Sequence, residues 1–402
     1  MRPELPPTAG LPIAWADFFA RPARPFTEGL GSWLDLPDPL PASSGTAALT
    51  VALQTLRHRL PERREVIIPA YTCPLVALAV GSVPGLRLLA CDLLPRSIDL
   101  DPDKLEALCT ERTLAVVPTH LGGRVADVEA ARRIAARSGA LVIEDAAQAL
   151  GALAHGRSVG LNGDIGFFSL AAGKGLTTYE GGLLFSRRSD LRADLAARAA
   201  ATLRPRPLLS LRRVLELLGY AFFYTPARLW YVYGRQLRLA LKAGDELAAV
   251  GDVFSPADIR LHSLDGLRLR VAANALERLP GYLDQGRIRA AGRLALLRGL
   301  DGVVALTDKS GFSGIWPFFM LILPDKEARD RVLRQLWPAG VGVSKLFARA
   351  LPDYDFLASF ARNPLDCPQA RALADRMLTV TNTHWLDDET FSLILDQIRR
   401  SL

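Results

Sequence analysis

Four short stretches hold residues able to do chemistry: SSGTAAL (43–49), PTHLGG (118–123), EDAAQALGA (144–152) and GDIGFFSLAAGKGLTTYEGG (163–182). Each also has an ordinary reading. Ser44-Gly45 can simply start a helix, Asp145 after an apolar run can cap one, and Lys174 between two glycines can be a solvated loop lysine. Together they describe something more specific. A helix beginning at Thr46 offers the backbone of Gly45, Thr46 and Ala47, and the positive end of its dipole, to a phosphate. A carboxylate such as Asp145, held at a strand end in a dry site, keeps a pyridinium nitrogen protonated and strengthens an electron sink. A lysine in a glycine-flanked loop reaches a carbonyl and forms a Schiff base once its ammonium is partly desolvated. Phosphate cradle, ring-nitrogen acid and Schiff-base lysine are the three needs of pyridoxal 5′-phosphate (PLP).

The elements that must position these groups follow from the pattern around them. Apolar residues at helical spacing predict a helix over 46–60. Short β-branched runs predict strands at 65–71, 86–92, 113–120 and 140–145, with amphipathic helices at 100–109 and 125–139 between them. Near-continuous apolar strands separated by helices imply a mostly parallel sheet covered on both faces, an α/β fold. Ligands of such sheets sit beyond the carboxyl ends of the strands, which directs attention to Asp92, His120 and Glu144-Asp145. Long helices are expected across 255–299. From about residue 301 the pattern changes to IWPFFMLIL (315–323), a helix over 326–337 and a closing helix near 388–401. The expectation is a large domain over 1–300 and a small α+β domain over 301–402.

Composition narrows the class further. The chain has 402 residues, half of them hydrophobic and 23% charged, which is globular and longer than one core usually fills. Its four cysteines (Cys73, Cys91, Cys109, Cys367) form no CxxC pair and its histidines show no metal-ligand spacing, so no metal is expected and a reducing cytoplasm fits. MRPELPPTAG lacks the apolar core of a signal peptide, and no stretch is long and apolar enough to span a bilayer. The net charge of +7 is local. Residues 204–242 carry eight cations against Glu216 alone, so the remainder sums to zero and no general affinity for nucleic acid is expected.

Beyond these readings the sequence resembles the DegT/DnrJ/StrS sugar aminotransferases, PLP enzymes of fold type I. The resemblance runs through SGTAAL, VIIPAYTCP, DLDPDKLEAL, VVPTHLGG, VIEDAAQALGA, the GD-x-G-x-FS…K…EGG block and a C-terminal CP-x-A…L block from Cys367 to Leu378. It implies a large domain with an αβα sandwich and a small C-terminal domain, assembled as a homodimer with active sites at the subunit interface. It assigns Lys174 as the Schiff-base lysine, whose freed amine then moves the proton between substrate carbon and cofactor. Asp145 pairs with the pyridinium nitrogen, Gln148 lies by the ring and its 3′-oxygen, and Ser169 joins Thr46 and the Gly45–Ala47 backbone at the phosphate. The implied reaction moves an amino group from glutamate or glutamine to a keto-sugar, nucleotide-linked, in polysaccharide or glycosylated-metabolite biosynthesis. Relatives with His at the lysine position dehydrate sugars, so Lys174 favours transamination. Other PLP chemistry on the same scaffold and a non-catalytic PLP-binding regulator stand as alternatives.

Two positions depart from the family pattern. Where relatives place an aromatic ring over the cofactor, this chain has Cys73, with Tyr71 two residues earlier on the same strand face as a candidate substitute. Where relatives present Asn-x-Arg to a neighbouring subunit's phosphate, this chain has Asp258-Ile259-Arg260; a carboxylate there is repulsive, while Arg260 still suits a substrate or phosphate. His120 reads equally as a strand-end polar residue and as part of a substrate pocket. Glu180 in YEGG is read as a residue that stabilises the lysine loop. The segment VLELLGYAFFYTPARLWYVYGRQLRL (214–239) holds seven aromatics amid arginines. It reads as helices packed on a dimer partner or capping the pocket, or as a peripheral element over 208–240 lying on the inner membrane surface.

Overall fold

The computed structural model describes residues 3–357 and 366–402. Residues 1–2 and 358–365, which fall at the start of the expected large domain and within the expected small one, lie outside the described residues. Seven strands form the main sheet: β1 (Leu40–Ala42), β2 (Glu65–Pro69), β3 (Arg87–Cys91), β4 (Thr113–Val116), β5 (Leu141–Asp145), β6 (Ile165–Ser169) and β7 (Gly182–Phe185). Their spatial order is β1-β7-β6-β5-β4-β2-β3. The pairs from β6 through to β3 are parallel, and β7 runs antiparallel to both of its neighbours. Strands β2, β4 and β6 are buried at every residue, as a sheet covered on both faces requires.

Helices on both faces supply that cover. Helix α1 (Gly45–Arg59) packs with Val66, Ile68, Ile143 and Phe167 on one side of the sheet. Helix α2 (Val128–Ser138) packs with Ile67, Val116 and Val142 on the other. Capping fixes where they start. Ser44 Oγ accepts from the Ala47 N–H at 3.0 Å, and Asp127 Oδ1 accepts from Ala130 N–H at 2.9 Å. The predicted strand at 113–120 is shorter than its apolar run, because Pro118 ends the regular pairing and the chain continues as a single bridge from Thr119 to Asp145.

The expected long helices across 255–299 begin later, at Gly266, because Asp265 is the first described residue there whose side chain caps a helix, onto Arg268 N–H. In chain order after the main sheet come α3 (Pro207–Phe223), α4 (Arg235–Lys242), α5 (Gly266–Leu276) and α6 (Leu279–Leu297). A second sheet follows: β8 (Val304–Ala305), β9 (Phe318–Ile322), β10 (Val343–Ser344) and β11 (Met377–Thr381), all antiparallel, in the order β8-β9-β11-β10. Its core includes Ala290 and Leu297 of α6 and Leu5 from the amino-terminal arm.

That arm is threaded, not loose. Thr8 Oγ1 donates to Gly173 O at 3.0 Å, and Leu11 N–H donates to Gly175 O at 3.0 Å. Tyr224 binds it from the far side, accepting from Gly10 N–H at 3.1 Å and donating to Thr8 O at 2.9 Å. Gly10 is required there, since a Cβ would lie 2.7 Å from Lys174 O. The arm therefore clamps the lysine loop.

Candidate active site

A cavity of about 540 Å³ opens beyond the carboxyl ends of β5 and β6, within the usual size for a small-ligand site. Ser44, Gly45, Thr46, Cys73, Asp145, Gln148, Ser169, Lys174 and Arg260 all line it. Eight of these nine converge because four segments end at the same edge of one sheet, and Arg260 joins them from a segment outside it.

At the start of α1, Ser44 consumes the Ala47 N–H as a cap, and Ala47 itself is fully buried. The Ala47 amide expected at the phosphate is thus engaged by the cap, while Gly45 and Thr46 lie in the first turn on the cavity wall. Gly45 has no room for a side chain, because a Cβ would lie 2.9 Å from Ser169 Cβ. Ser169, at the end of β6, is thereby pressed against the amino end of α1, and among the described residues its Oγ accepts only a 3.3 Å contact from Ala171 N–H. Two backbone donors, a threonine and a serine around a helix amino end fit a phosphate monoester.

Asp145 ends β5. One carboxylate oxygen accepts from Ala147 N–H at 3.0 Å, and among the described residues no donor reaches the other. Burial raises its pKa to about 6, against the lowering pull of the Ala147 N–H, Lys174 and His120. A buried acid with a spare acceptor on a cavity is the environment that a protonated ring nitrogen satisfies. Lys174, in the loop after β6, has its pKa lowered by burial, while Cys73 and Asp145 pull it upward. The ammonium is thus biased toward the free amine. Gln148 is held in place by its Oε1, which accepts from Gly122 N–H at 2.7 Å. Cys73 has its pKa pushed up to about 12, chiefly by burial, so it stays a protonated, apolar wall.

The lysine loop is closed by its own backbone: Leu170 N–H donates to Gly181 O at 2.7 Å and Ala172 N–H to Tyr179 O at 2.8 Å. Glu180 is engaged at both ends, its carbonyl accepting from Arg268 Nη1 at 2.6 Å and its carboxylate ion-paired to Arg213. Asp258 lines the cavity but turns onto Ser255, accepting from its N–H at 2.7 Å and its hydroxyl at 3.1 Å. That turn directs one of its carboxylate oxygens toward Ser255.

Two expected substrate residues lie elsewhere. His120 is fully buried and off the cavity wall, whereas its neighbours Thr119 and Leu121 line it. Its Nδ1 accepts from Ala126 N–H at 2.9 Å, which puts the proton on Nε2, 2.7 Å from Glu144 Oε1. Glu144 also accepts from Asn162 and Gly163 N–H at 2.8 and 2.9 Å. His120 thus braces the back of β5. Tyr71 is buried beneath Phe347, its hydroxyl meeting the Phe347 backbone at 3.3–3.4 Å, and does not line the cavity. Asp92, the third strand-end acid, caps a helix through Gln369 and Ala370 N–H at 3.1 and 2.8 Å. Conversely, Phe254, Phe347 and Arg213 join the wall from distant segments. No local signal marks the two phenylalanines. Arg213 sits in the basic segment, but only the fold separates it from its neighbouring arginines.

The sheet order and this site describe an α/β fold with a mostly parallel sheet and a cavity whose residues suit PLP. Comparison with known proteins carries the assignment one step further. Residues 21–204 match the model of the DegT/DnrJ/EryC1/StrS aminotransferase family, a family of PLP-dependent enzymes. An L-glutamine:2-deoxy-scyllo-inosose aminotransferase of Streptoalloteichus tenebrarius is 39% identical over 168 residues, 42% of this chain and 39% of that one. A GDP-perosamine synthase of Caulobacter vibrioides is 35% identical over 184 residues, 45% of this chain and 48% of that one. The aligned part spans less than half the length of these relatives. Over the whole chain the fold is that of a sugar aminotransferase from Micromonospora echinospora, with TM-score 0.75, 22% identity and coverage of 99% and 100% of the two chains. A Streptococcus pneumoniae protein solved in PLP and PMP forms superposes with TM-score 0.74 at 18% identity, over 98–99% of this chain and 98% of that one.

Proposed function

We propose that this protein is a PLP-dependent aminotransferase that moves an amino group from glutamine or glutamate to the ketone of a nucleotide-linked sugar, acting as a homodimer. The observation that carries the reading is the meeting of Lys174 and Asp145 on one cavity, each electrostatically felt by the other, beside the Gly45–Ser169 contact at the start of α1. PLP bound there supplies an aldehyde carbon that exchanges amines and a ring that holds an electron pair while a proton moves. Gly45, Thr46 and Ser169 would hold its phosphate and Asp145 its ring nitrogen, with Cys73 and Ala147 on the walls. Lys174 Nζ serves as the base that takes and returns the substrate proton. Burial suits it to that role by depressing its pKa toward the working range. Arg260 brings positive charge to the wall, consistent with an anionic diphosphate on the acceptor. The names of the relatives support the substrate class, one pairing L-glutamine with 2-deoxy-scyllo-inosose and the other naming GDP-perosamine.

The test is to add glutamine, then glutamate, to the purified holoprotein and follow the cofactor's visible absorption. Conversion to the pyridoxamine form with release of the matching keto acid is expected. Lys174→Ala abolishes it, and borohydride then no longer fixes the cofactor to the 174-containing peptide. A spectrum unmoved by any amino acid overturns the assignment.

A further inference from the structure

The outer surface of α3 points to a second site of contact. Leu208, Leu211, Leu215 and Phe222 are 86%, 58%, 60% and 42% exposed, and their spacing of three, four and seven residues puts them on one line along the helix. The helix does not need that line for its own attachment. Its other side holds Leu217, which is fully buried, and Arg213, which is paired to Glu180 in the cavity wall. α3 is thus fixed by one face and presents an apolar stripe on the other.

The stripe is bordered by charge. Arg204 and Arg206, just ahead of the helix, are exposed and have no acidic partner among the described residues. Beyond α3, Tyr231 and Val232 are exposed together with Arg235 and Lys242. The whole net charge of the protein resides in this segment. Apolar side chains flanked by arginines and an exposed tyrosine match the boundary between acyl chains and anionic headgroups. No helix among the described residues is long and apolar enough to cross a membrane, so contact of this kind lies along the surface. A second copy is a poorer occupant. A twofold contact with its axis through α3 would set this patch against itself, bringing the surplus cations of both copies together. An acidic protein would answer the charge but not the leucine stripe.

We propose that α3 is an interfacial helix that seats this protein on an anionic lipid surface, with the active-site wall on its inner side. The proposal goes beyond the aminotransferase reading and does not depend on it. The test is co-sedimentation of the full-length holoprotein with vesicles of phosphatidylglycerol and phosphatidylcholine, against vesicles of phosphatidylcholine alone. Wild type is expected to pellet with the anionic vesicles only. Replacing Leu208, Leu211 and Leu215 by Ser should lower the partition coefficient about a hundredfold. Arg204→Gln with Arg206→Gln should lower it about fivefold per charge, with a weaker salt dependence. Circular dichroism and melting identical to wild type establish that the variants are folded. Wild type left in the supernatant, or either variant pelleting like wild type, overturns the proposal. So does a halving of mass by light scattering in the leucine variant without lipid binding by wild type, which would show that the stripe joins copies of the chain. Because pelleting reads no amine chemistry, its failure and the failure of the proposed activity are distinguishable.

Discussion

Replacing Asp145 by Asn should stabilise the cofactor-free protein while destroying its activity, and the pH dependence of that gain is fixed by the site. Burial raises the Asp145 pKa from 3.8 to about 6. A carboxyl whose folded pKa is raised contributes its full stability below pH 3.8 and loses it as pH climbs through about 6. With those two values the ionised carboxylate costs the cofactor-free fold about 2 kcal/mol at pH 5 and about 3 kcal/mol at pH 8. Asn keeps the shape and can still accept from Ala147 N–H, which Asp145 does at 3.0 Å, but it carries no charge. Taking the chain of 402 residues as one cooperative unit, the entropy of unfolding is about 0.84 kcal/mol per degree, so the gain is about 3–4 °C at pH 8 and about 2 °C at pH 5. Differential scanning calorimetry of both proteins, stripped of PLP, reads it directly. In the presence of PLP the order should reverse, because wild type gains a cationic partner for its carboxylate and the variant does not. A cofactor-free variant that melts below wild type at pH 8, or a difference that does not shrink toward pH 5, would refute the account of Asp145 as an acid waiting for a cation.

Two further substitutions separate bracing from chemistry. His120→Ala strips Glu144 of its buried partner and Ala126 N–H of its acceptor. It should cost about 3 kcal/mol or more in stability and leave the KM for the keto-sugar unchanged; a raised KM at unchanged melting temperature would restore His120 to the pocket. Tyr224→Phe removes both hydrogen bonds to the arm at Thr8 and Gly10. A loss of about 1–3 kcal/mol and faster proteolysis near residue 10 are expected, and a variant indistinguishable from wild type in both would show that the arm is held by other contacts.

The sequence alone determined the parts whose reasons are local. Apolar β-branched runs specified four of the seven strands of the main sheet, β2 to β5. The Ser44-Gly45-Thr46 start specified the helix amino end, and the order of Gly45, Asp145, Ser169 and Lys174 specified the cofactor, because each requirement is a residue type at an element's end. Tertiary structure decided which of these residues face one another. Along the stretch after β4, neighbouring side chains turn to opposite sides, so Thr119 meets the cavity while His120 meets Glu144, a partner 24 positions away. Tyr71 was drawn under Phe347, 276 positions later, and Arg213 was selected from a run of arginines by the buried face of α3. Ala47 lost its amide to the very serine that starts its helix. Spacing along the chain states which groups are present at a strand or helix end. Only packing, which must bury one face and satisfy every polar atom on it, states where each group points.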